Sequence, residues 1–379
     1  MKFTINSKTF ANYVNVAFNL LNTGSVNIAE TFIKIIAAND GIKSGLKLHA
    51  ATKTHYVILT VPEAEILEPN IVVINGEHIA AYIKQIAGNM PLTVELVNND
   101  LYVLHGKKKF KTSIVPLENF ITQDKTASFS DILVLRKDEL NMVCTFANKI
   151  KEADCRSPAL SALSLQVRDN DIFSYFGDGS SMYKMNLQGT TTKENITINI
   201  PLSQISDIKK YLALVDLGKE DAVTVGTSEN MIRIKHDYAE FYISRSAYEY
   251  PNAHMLFNNK GLTPIDLDVD ALAENFEAAE AAFSIHKNVI CSVIGKSNIF
   301  EISNEVKDLK FQSEIDNPNY EDLEFHCYTA NIAAGASFMK NDKAKLHVLK
   351  DNMLVKSLLF QGAKRAYMTG VIIKEKVNV

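Results

Sequence analysis

Residues 75–120, NGEHIAAYIKQIAGNMPLTVELVNNDLYVLHGKKKFKTSIVPLENF, contain the pattern from which the rest of the chain is built. The stretch begins with apolar residues at the i, i+4, i+7 and i+8 positions, which predict one apolar helical face: Ile79, Ile83, Ile86 and Ala87. Three segments follow in which apolar and polar residues alternate, as in half-buried strands. Asn98, Asn99 and Asp100 predict a turn between the first two. The stretch is therefore one helix followed by three strands.

The same pattern occurs twice more along the chain. The helical stripes of the later copies are Ile205, Ile208 and Leu212, and then Ile332, Ala336 and Met339. Positions 79, 205 and 332 are 126 and 127 residues apart. Two further sets of positions keep nearly the same spacing: Ile42, Ile172 and Ile299 after turns, and Phe10, Leu140 and Leu272 inside helical patterns. These repeats predict three domains of one kind.

Two linking stretches divide the chain between the repeats. The first is the polar TQDKTASFSD at 122–131, and the second is NAHMLFNNKGLTP at 252–264, in which Asn, Gly and Pro interrupt regular structure. The domains are therefore expected at 1–122, 128–252 and 263–379. Because a strand-helix-strands half precedes each copy, every domain is a duplicated β-α-β-β-β unit, and the fold class is α+β.

The first half of each domain carries its own predicted helix. In the first two domains these helices are expected at 7–21 and 137–150. The third domain shows an apolar stripe at Val269, Leu272, Phe276, Ala279 and Phe283.

Length and composition limit the number of domains and the classes of protein to which the chain can belong. The 379 residues suffice for two to three ordinary domains, and a net charge of −4 gives no overall nucleic-acid signature. The opening MKFTINSK is not a secretory leader, and no apolar run approaches the roughly twenty residues of a membrane span. Four scattered cysteines without a CxxC pair predict reduced thiols in the cytoplasm: Cys144, Cys155, Cys291 and Cys327.

No stretch predicts catalysis, a metal site or a cofactor. Residues 295–297, Gly-Lys-Ser, resemble the end of a phosphate loop, but Ile290 occupies the place of the leading glycine. Residues 177–181, GDGSS, resemble a nucleophile turn only loosely because GxSxG is absent, and a plain turn is the alternative. The nine histidines lie singly, without metal-ligand spacing. An enzyme is expected only if Asp178 and Ser180 act chemically.

Basic residues recur on the predicted helices. Candidate phosphate-facing cations are Lys84, Arg136, Lys137, Lys149, Lys151, Lys209, Lys210 and Lys340. Solvated helix faces also carry lysines, so a single residue of this kind indicates little. Repetition at one register favours a surface that faces the phosphates of DNA.

The repeats and three segments together resemble one known family. MKFTI at the start, residues 75–120, and SRSAYEYPNA at 244–253 are similar to the pattern of the bacterial sliding clamp, the beta subunit of DNA polymerase III. The resemblance covers essentially the whole chain as a pattern, and it suggests a divergent member encoded by a virus or mobile element. It implies a ring of six domains from two chains, with sheets outside and helices lining the hole. It also implies a processivity factor without chemistry of its own, which encircles double-stranded DNA in the cytoplasm.

The resemblance implies how two chains would close the ring. An edge strand of the first domain would pair with one of the third domain in the partner. The residues expected there are Lys107, Lys109, Phe110 and Lys111 on the first strand, with Lys108 beside them, and Glu301, Glu305 and Asp308 on the second. Opposite charges would then set register and orientation. A lysine-rich edge that only protects against aggregation is the alternative.

The resemblance also implies a groove that receives short linear peptides of a DNA polymerase and a clamp loader. Matching positions are Leu160, Asp178, Gly179, Met182, Pro251, Leu256, Met353 and Val355. Leu, Met and Val at such places are also ordinary core residues, so their convergence on one junction carries the expectation.

The chain departs from the family pattern at several places. Ser180, Ser181 and Met182 replace His-Arg-Leu in the family's turn, the Arg-Pro expected after the first helix is absent around residues 25–27, and the tail GVIIKEKVNV lacks the usual Met-Pro-Met-Arg-Leu. The first helix of the third domain is acidic: Asp268, Asp270, Glu274, Glu277 and Glu280. That helix favours the alternative function, a peptide-binding adaptor of clamp fold that does not encircle DNA.

Overall fold

The computed structural model describes residues 1–39, 45–86, 88–122, 128–214, 221–257, 265–267, 274, 278, 281, 288–294, 297–303, 310–316, 323–342, 344–351 and 354–370. The repeat positions Ile42 and Leu272, and with them the whole apolar stripe expected near the start of the third domain, lie outside these residues. So do residues 295 and 296 of the loose phosphate-loop resemblance.

The helices with both ends among the described residues are α1 (Ser7–Asn19), α2 (Gly76–Ile83), α3 (Lys137–Ala147), α4 (Ile205–Leu214) and α5 (Thr329–Met339). Asn6 and Asn75 begin α1 and α2 in the same way, because each side-chain oxygen accepts two backbone N–H groups of the first turn. The predicted stripes are confirmed where they are described, since residues 79, 205 and 332 are fully buried. α2 ends before Ile86, so the predicted helix is one turn too long.

The strands of the first half of the chain are β1 (Lys2–Asn6), β2 (Phe32–Ala38), β3 (Gly45–Ala51), β4 (His55–Val61), β5 (Glu65–Glu68), β6 (Asn70–Asn75), β7 (Pro91–Val97), β8 (Asp100–His105), β9 (Lys108–Ser113), β10 (Ser130–Arg136), β11 (Ala162–Arg168), β12 (Asp171–Gly177) and β13 (Ser181–Leu187). Those of the second half are β14 (Gly189–Thr191), β15 (Thr197–Pro201), β16 (Ala222–Thr227), β17 (Met231–His236), β18 (Ala239–Ser244), β19 (Ile265–Leu267), β20 (Asn288–Ile294), β21 (Ile299–Ser303), β22 (Lys310–Asp316), β23 (Leu323–Tyr328), β24 (Ala344–Asp351), β25 (Leu354–Gln361) and β26 (Arg365–Gly370). The fold is α+β, as the repeats predict.

The chain folds into two compact units. The first comprises Met1–Thr145, Gln188–Lys193 and Ser203–Arg245, and the second comprises Phe146–Leu187, Glu194–Leu202 and Ser246–Val379. Each unit therefore takes residues from the middle of the chain.

The first unit contains two antiparallel sheets. Their strand orders are β5-β1-β7-β8-β9 and β14-β10-β16-β17-β18-β4-β3-β2-β6. The longer sheet is continuous because β18, the last strand of one repeat, pairs with β4 of an earlier one, from Ala239 opposite Leu59 to Ile243 opposite His55. Helix α1 packs against both α2 and α4.

Polar contacts also connect the two repeats of the first unit. The Nε2 atom of His55 lies 2.6 Å from the carbonyl oxygen of Leu20, to which it donates, and Nδ1 lies 3.4 Å from a carboxylate oxygen of Asp207. Burial by itself would raise the pKa of Asp207, but His55 and Lys210 together lower it below its usual value. β4 and α4 are thereby joined by a polar contact.

The second unit contains one sheet of twelve strands in the order β15-β11-β12-β13-β26-β25-β24-β19-β22-β21-β20-β23. Its two halves join where β13 pairs with β26, from Ser181 opposite Thr369 to Met185 opposite Arg365. Phe338 of α5 lies edge-on to the ring of Phe146 at a centroid distance of 4.9 Å.

The stretch expected as a link at 252–264 contains a 3-10 helix, Ala253–Phe257, in which Ala253 and Phe257 are buried. The expectation of one acidic edge strand at 301–311 is wrong. That stretch contains the end of β21 and the beginning of β22, which pair with each other.

Substitution of Gly335 tests the packing of α5 on β26. An added Cβ would overlap two ring atoms of Tyr367, a fully buried residue. We expect Gly335→Ala to lower the free energy of unfolding by about 2 kcal/mol, because overpacking of about 3 kcal/mol exceeds the gain of about 1 kcal/mol in helix propensity. Urea unfolding followed by circular dichroism measures this change.

Gly24→Ala is the matched control for this substitution. An added Cβ at Gly24 meets nothing within 4 Å, so the free energy of unfolding should stay within about 0.5 kcal/mol of the parent value. Equal unfolding midpoints for the two variants would contradict the described contact.

Candidate functional site

An apolar cluster lies on one face of the sheet in the second unit. We call it the apolar face, and its buried members are Leu160, Ala162, Phe173, Tyr175, Met182, Tyr250, Ala253, Phe257, Leu359 and Ala366. Cys155 and Met368 pack against it and are partly buried. The strands that supply these residues, β11, β12, β13, β26 and β25, are consecutive neighbours in the sheet. The face therefore forms because alternate residues of adjacent strands point the same way.

The segment that covers part of this face also leaves apolar side chains in solvent. Met255 and Leu256 belong to the 3-10 helix Ala253–Phe257 and are 70% and 43% exposed. Pro251 is exposed at the start of the same segment. Exposed apolar residues beside a buried apolar cluster are typical of a surface that receives a partner.

A tight turn borders the apolar face. One carboxylate oxygen of Asp178 accepts from the backbone N–H groups of Ser180 and Ser181 at 2.8 and 2.7 Å, and from the Ser180 hydroxyl at 2.8 Å. Gly179 has a φ of +92°, and a Cβ there would lie 3.0 Å from Leu160. The Ser180 hydroxyl is therefore engaged in holding the turn, which favours the plain-turn interpretation over a nucleophile.

Two predicted groove residues, Leu160 and Met182, meet in the apolar face, and Asp178 and Gly179 form the adjoining turn. Val355 lies in β25, and Met353 lies outside the described residues. The sequence did not predict five large buried residues of the apolar face: Phe173, Tyr175, Tyr250, Phe257 and Leu359. The segments DIFSYFG and LVKSLLFQ are nearly continuous apolar runs, which do not show which side chains line a surface.

Cys155 lies at the edge of the apolar face. Its Sγ is 3.6 Å from the carbonyl oxygen of Leu160. Burial raises the pKa of the Cys155 thiol, and the nearby charge of Asp178 raises it further. The thiol is therefore held in its protonated, less reactive form.

The candidate DNA-binding cations of the first unit lie on or beside helices and are at least partly exposed. They are Lys84, Arg136, Lys137, Lys209 and Lys210. Lys84 is the C-cap of α2, and its ammonium lies 5.9 Å from the ring of Phe18. Arg136 pairs with Asp138 at 2.7 Å and lowers the pKa of that carboxyl, so its charge is partly neutralised. Arg136 and Lys137 line a cleft that also contains Asp138, Asn141, Leu212 and Asp221.

The candidate cations of the second unit are Lys149, Lys151 and Lys340, and all three are exposed. Lys149 lies 5.0 Å from the ring of Phe146. Lys340 is the C-cap of α5, where its backbone carbonyl accepts from Arg365 at 2.7 Å.

The residues expected at a dimer interface occupy two different environments. β9 is the terminal strand of its sheet, with Lys107 in the preceding turn; Lys109 and Lys111 are exposed on it, and Phe110 stacks on Tyr82 at 4.6 Å. Glu301 is different, because β21 lies between β20 and β22 and the side chain is 6% exposed. Its carboxylate accepts from Gln312 at 2.8 Å and pairs with Lys310 at 3.2 Å.

The expectation that Glu301 stands on an exposed edge strand is therefore wrong. A buried carboxylate with two local partners has few lone pairs left for a lysine of another chain. Glu305 and Asp308 lie outside the described residues.

The described part of the chain contains no group of three or more His, Cys, Asp and Glu residues that could hold a metal ion. Within the same residues, no helix combines the length and apolar content that crossing a membrane requires.

The class of protein that shares this fold is the bacterial sliding clamp, the beta subunit of DNA polymerase III. The beta subunits of Pseudomonas aeruginosa and Streptococcus pyogenes match with a TM-score of 0.83 each, over 99% of this chain and 100% of theirs, at 13% and 14% sequence identity. A putative beta subunit from Eubacterium rectale matches with a TM-score of 0.83 at 13% identity, over 98% of this chain and 99% of its own. The chain therefore has the sliding-clamp fold along its whole length.

Sequence comparison alone does not find this similarity. No protein-family model matches the chain, and no curated protein matches it. The similarity thus lies in the order and pairing of helices and strands.

The turn at the border of the apolar face can be tested by removing its central acceptor. We expect Asp178→Ala to lower the free energy of unfolding by about 2 kcal/mol, because two backbone N–H groups and one hydroxyl lose their partner. Asp154→Ala is the control, since Asp154 is exposed in a 3-10 helix nearby. Equal urea midpoints for both variants would contradict the described turn.

Proposed function

We propose that this chain is a DNA polymerase processivity factor, a sliding clamp that encircles double-stranded DNA as a ring of two chains. In this proposal each chain supplies three domains, at 1–122, 128–252 and 263–379. The observation that carries it is the match to DNA polymerase III beta subunits over nearly the whole length of the chain. Fold alone does not define function, so the proposal also rests on the surfaces described above.

The charge of the chain supports a sliding role. A ring that moves along DNA needs weak, replaceable phosphate contacts, because each fixed contact is a barrier to translation. Lysines on and beside helices, on a chain whose net charge is −4, supply contacts of this kind without a large basic surface. Retention on DNA would then come from topology, and the protein would need no chemistry of its own.

The apolar face supports a role in tethering. The exposed Met255 and Leu256 lie beside the apolar face, and the face itself contains buried aromatic residues. Such a surface suits a short linear peptide that inserts apolar side chains. We propose that peptides of a DNA polymerase and a clamp loader bind there, in the cytoplasm.

A second candidate is a peptide-binding adaptor that does not encircle DNA. The acidic stretch between residues 268 and 280 favours it, because acidic side chains facing DNA phosphates would repel them. Both candidates would bind peptides through the apolar face, but only the clamp would encircle DNA.

Threading of DNA distinguishes the two candidates. Linear duplex DNA is circularised by ligase in the presence of the protein, so that a threaded ring is trapped without a loader. The clamp should then stay on the circle through gel filtration at about 0.5 M salt, where ordinary phosphate binding is weak. Cutting the circle at one site should release it.

A matched sample in which the DNA is never ligated is the control. Equal recovery on circular and linear DNA would contradict a topological link. Absence of retention on both, with peptide binding intact, would establish the adaptor.

The proposed dimer is tested by charge reversal on β9. In the closed ring, Lys109 would face an acidic segment of the partner, for which Glu305 and Asp308 are the remaining candidates. We expect Lys109→Glu to shift the mass from two chains toward one chain of 42.2 kDa, as measured by light scattering. Adding Glu305→Lys should restore the dimer.

Lys47→Glu is the matched control, since Lys47 is exposed on the interior strand β3. If the double variant forms no more dimer than Lys109→Glu alone, the result would contradict the pairing of Lys109 with Glu305. It would not test other strand pairs that could close the ring.

A further inference from the structure

Two cationic side chains share the sheet face that carries the apolar cluster. The register pairs Lys184 of β13 with Tyr175 of β12, and Arg168 of β11 with Asp171 of β12. Tyr175 belongs to the apolar face, and side chains that stand directly opposite each other on paired strands lie on the same side of a sheet. Because Asp171 is four residues before Tyr175 on β12, the period of two places Arg168 on that side as well.

Lys184 has no carboxylate at ion-pair distance among the described residues. Its ammonium lies 4.8 Å from the ring centroid of Phe173, and the side chain is about half-buried. Burial lowers the pKa of Lys184, and Asp171 is near enough only to oppose that change. The charge is therefore partly desolvated beside the ring of Phe173, and within the described residues it has no direct counter-ion.

Arg168 is bound only by neutral acceptors among the described residues. Its guanidinium donates to the side-chain oxygen of Gln166 at 3.0 Å and to that of Asn252 at 3.0 Å. Asn252 directly precedes the 3-10 helix that covers the face. The guanidinium is thus fixed at the border of the apolar face. Among the described residues no carboxylate lies at ion-pair distance from it, although Asp171 stands opposite it on β12.

A histidine, His254, lies near enough to both cations to be affected by their charge. Nδ1 of His254 lies 3.0 Å from the hydroxyl of Tyr175. Burial lowers the pKa of His254, and Lys184 and Arg168 lower it further against the opposing charge of Asp169.

We propose that the partner segment received by the apolar face carries acidic side chains beside its apolar anchors, and that Lys184 and Arg168 bind those carboxylates. This inference rests on the proposed peptide-binding role of the face and adds the charge of its ligand. A carboxylate forms charge-assisted hydrogen bonds with both cations, whereas a neutral peptide covers them without compensation. Residues 371–379 of this chain do not have the composition of such an acidic segment, because they carry two lysines, Lys374 and Lys376, and one carboxylate side chain, Glu375.

The test is an unbiased selection followed by a matched titration. A random 12-residue peptide library is displayed and selected on the immobilised full-length chain. The most enriched peptides are then synthesised with a fluorophore, each with a twin in which every Asp and Glu is replaced by Asn and Gln. Fluorescence anisotropy gives the Kd of each pair.

Four variants isolate the contribution of the cation. Lys184→Gln removes the charge, Lys184→Arg retains it, Lys235→Gln removes an exposed lysine on β17, and Leu256→Asp disrupts the apolar face. On the parent chain we expect the acidic peptides to bind about five- to tenfold more tightly than their neutral twins. The difference should fall below about twofold on Lys184→Gln and persist on Lys184→Arg and Lys235→Gln.

The outcomes separate this inference from the proposed function. Peptides that lose binding on Leu256→Asp but bind equally well as acidic and neutral twins would overturn the inference and leave the peptide-binding face intact. Enrichment of basic peptides on that face would overturn it too. If no enriched peptide depends on Leu256, the peptide-binding role fails and the inference fails with it.

Discussion

Pairing between the strand edges of different repeats is the constraint on which the rest of the structure depends. A repeat that ends in a strand leaves a row of unpaired backbone N–H and C=O groups, and these groups require partners. In the first unit β18 finds its partner in β4, and in the second unit β13 finds it in β26. Long sheets of nine and twelve strands result from helices and strands that are individually short. The buried helical stripes then pack where these sheets position them.

The same constraint creates the candidate site. Pairing of β13 with β26 brings Met182 opposite Met368, although these residues are far apart in sequence. The segment from Tyr250 to Phe257 crosses this surface and buries Tyr250, Ala253 and Phe257 there while exposing Met255 and Leu256. Buried apolar residues, exposed apolar residues beside them, and two cations that pair with no carboxylate of the described residues therefore occur together on one sheet face. This is the chemistry expected of a peptide-binding surface.

Local periodicity allowed much of the fold to be predicted. Helical stripes such as Ile205, Ile208 and Leu212 are buried as expected, and the turn at Asn98 adopts a φ of +57°, as a tight hairpin turn requires. What could not be predicted depends on distant pairing. The sequence around Glu301 has the charge of an edge strand, but only the placement of β20 and β22 shows that β21 is interior. For the same reason Phe173 and Leu359 were not recognisable as neighbours in the site.

The lifetime of the protein on one DNA molecule tests the central claim, topological retention, most directly. A fluorescent form is observed on single duplexes whose two ends are blocked, while the salt concentration is raised from about 0.1 to 0.5 M. Binding through phosphate contacts weakens steeply over that range, because displaced counterions return to the DNA. A clamp should keep a nearly constant lifetime and should depart only when one block is removed. A lifetime that falls with salt as a power law, and is the same with open and blocked ends, would contradict the sliding-clamp account.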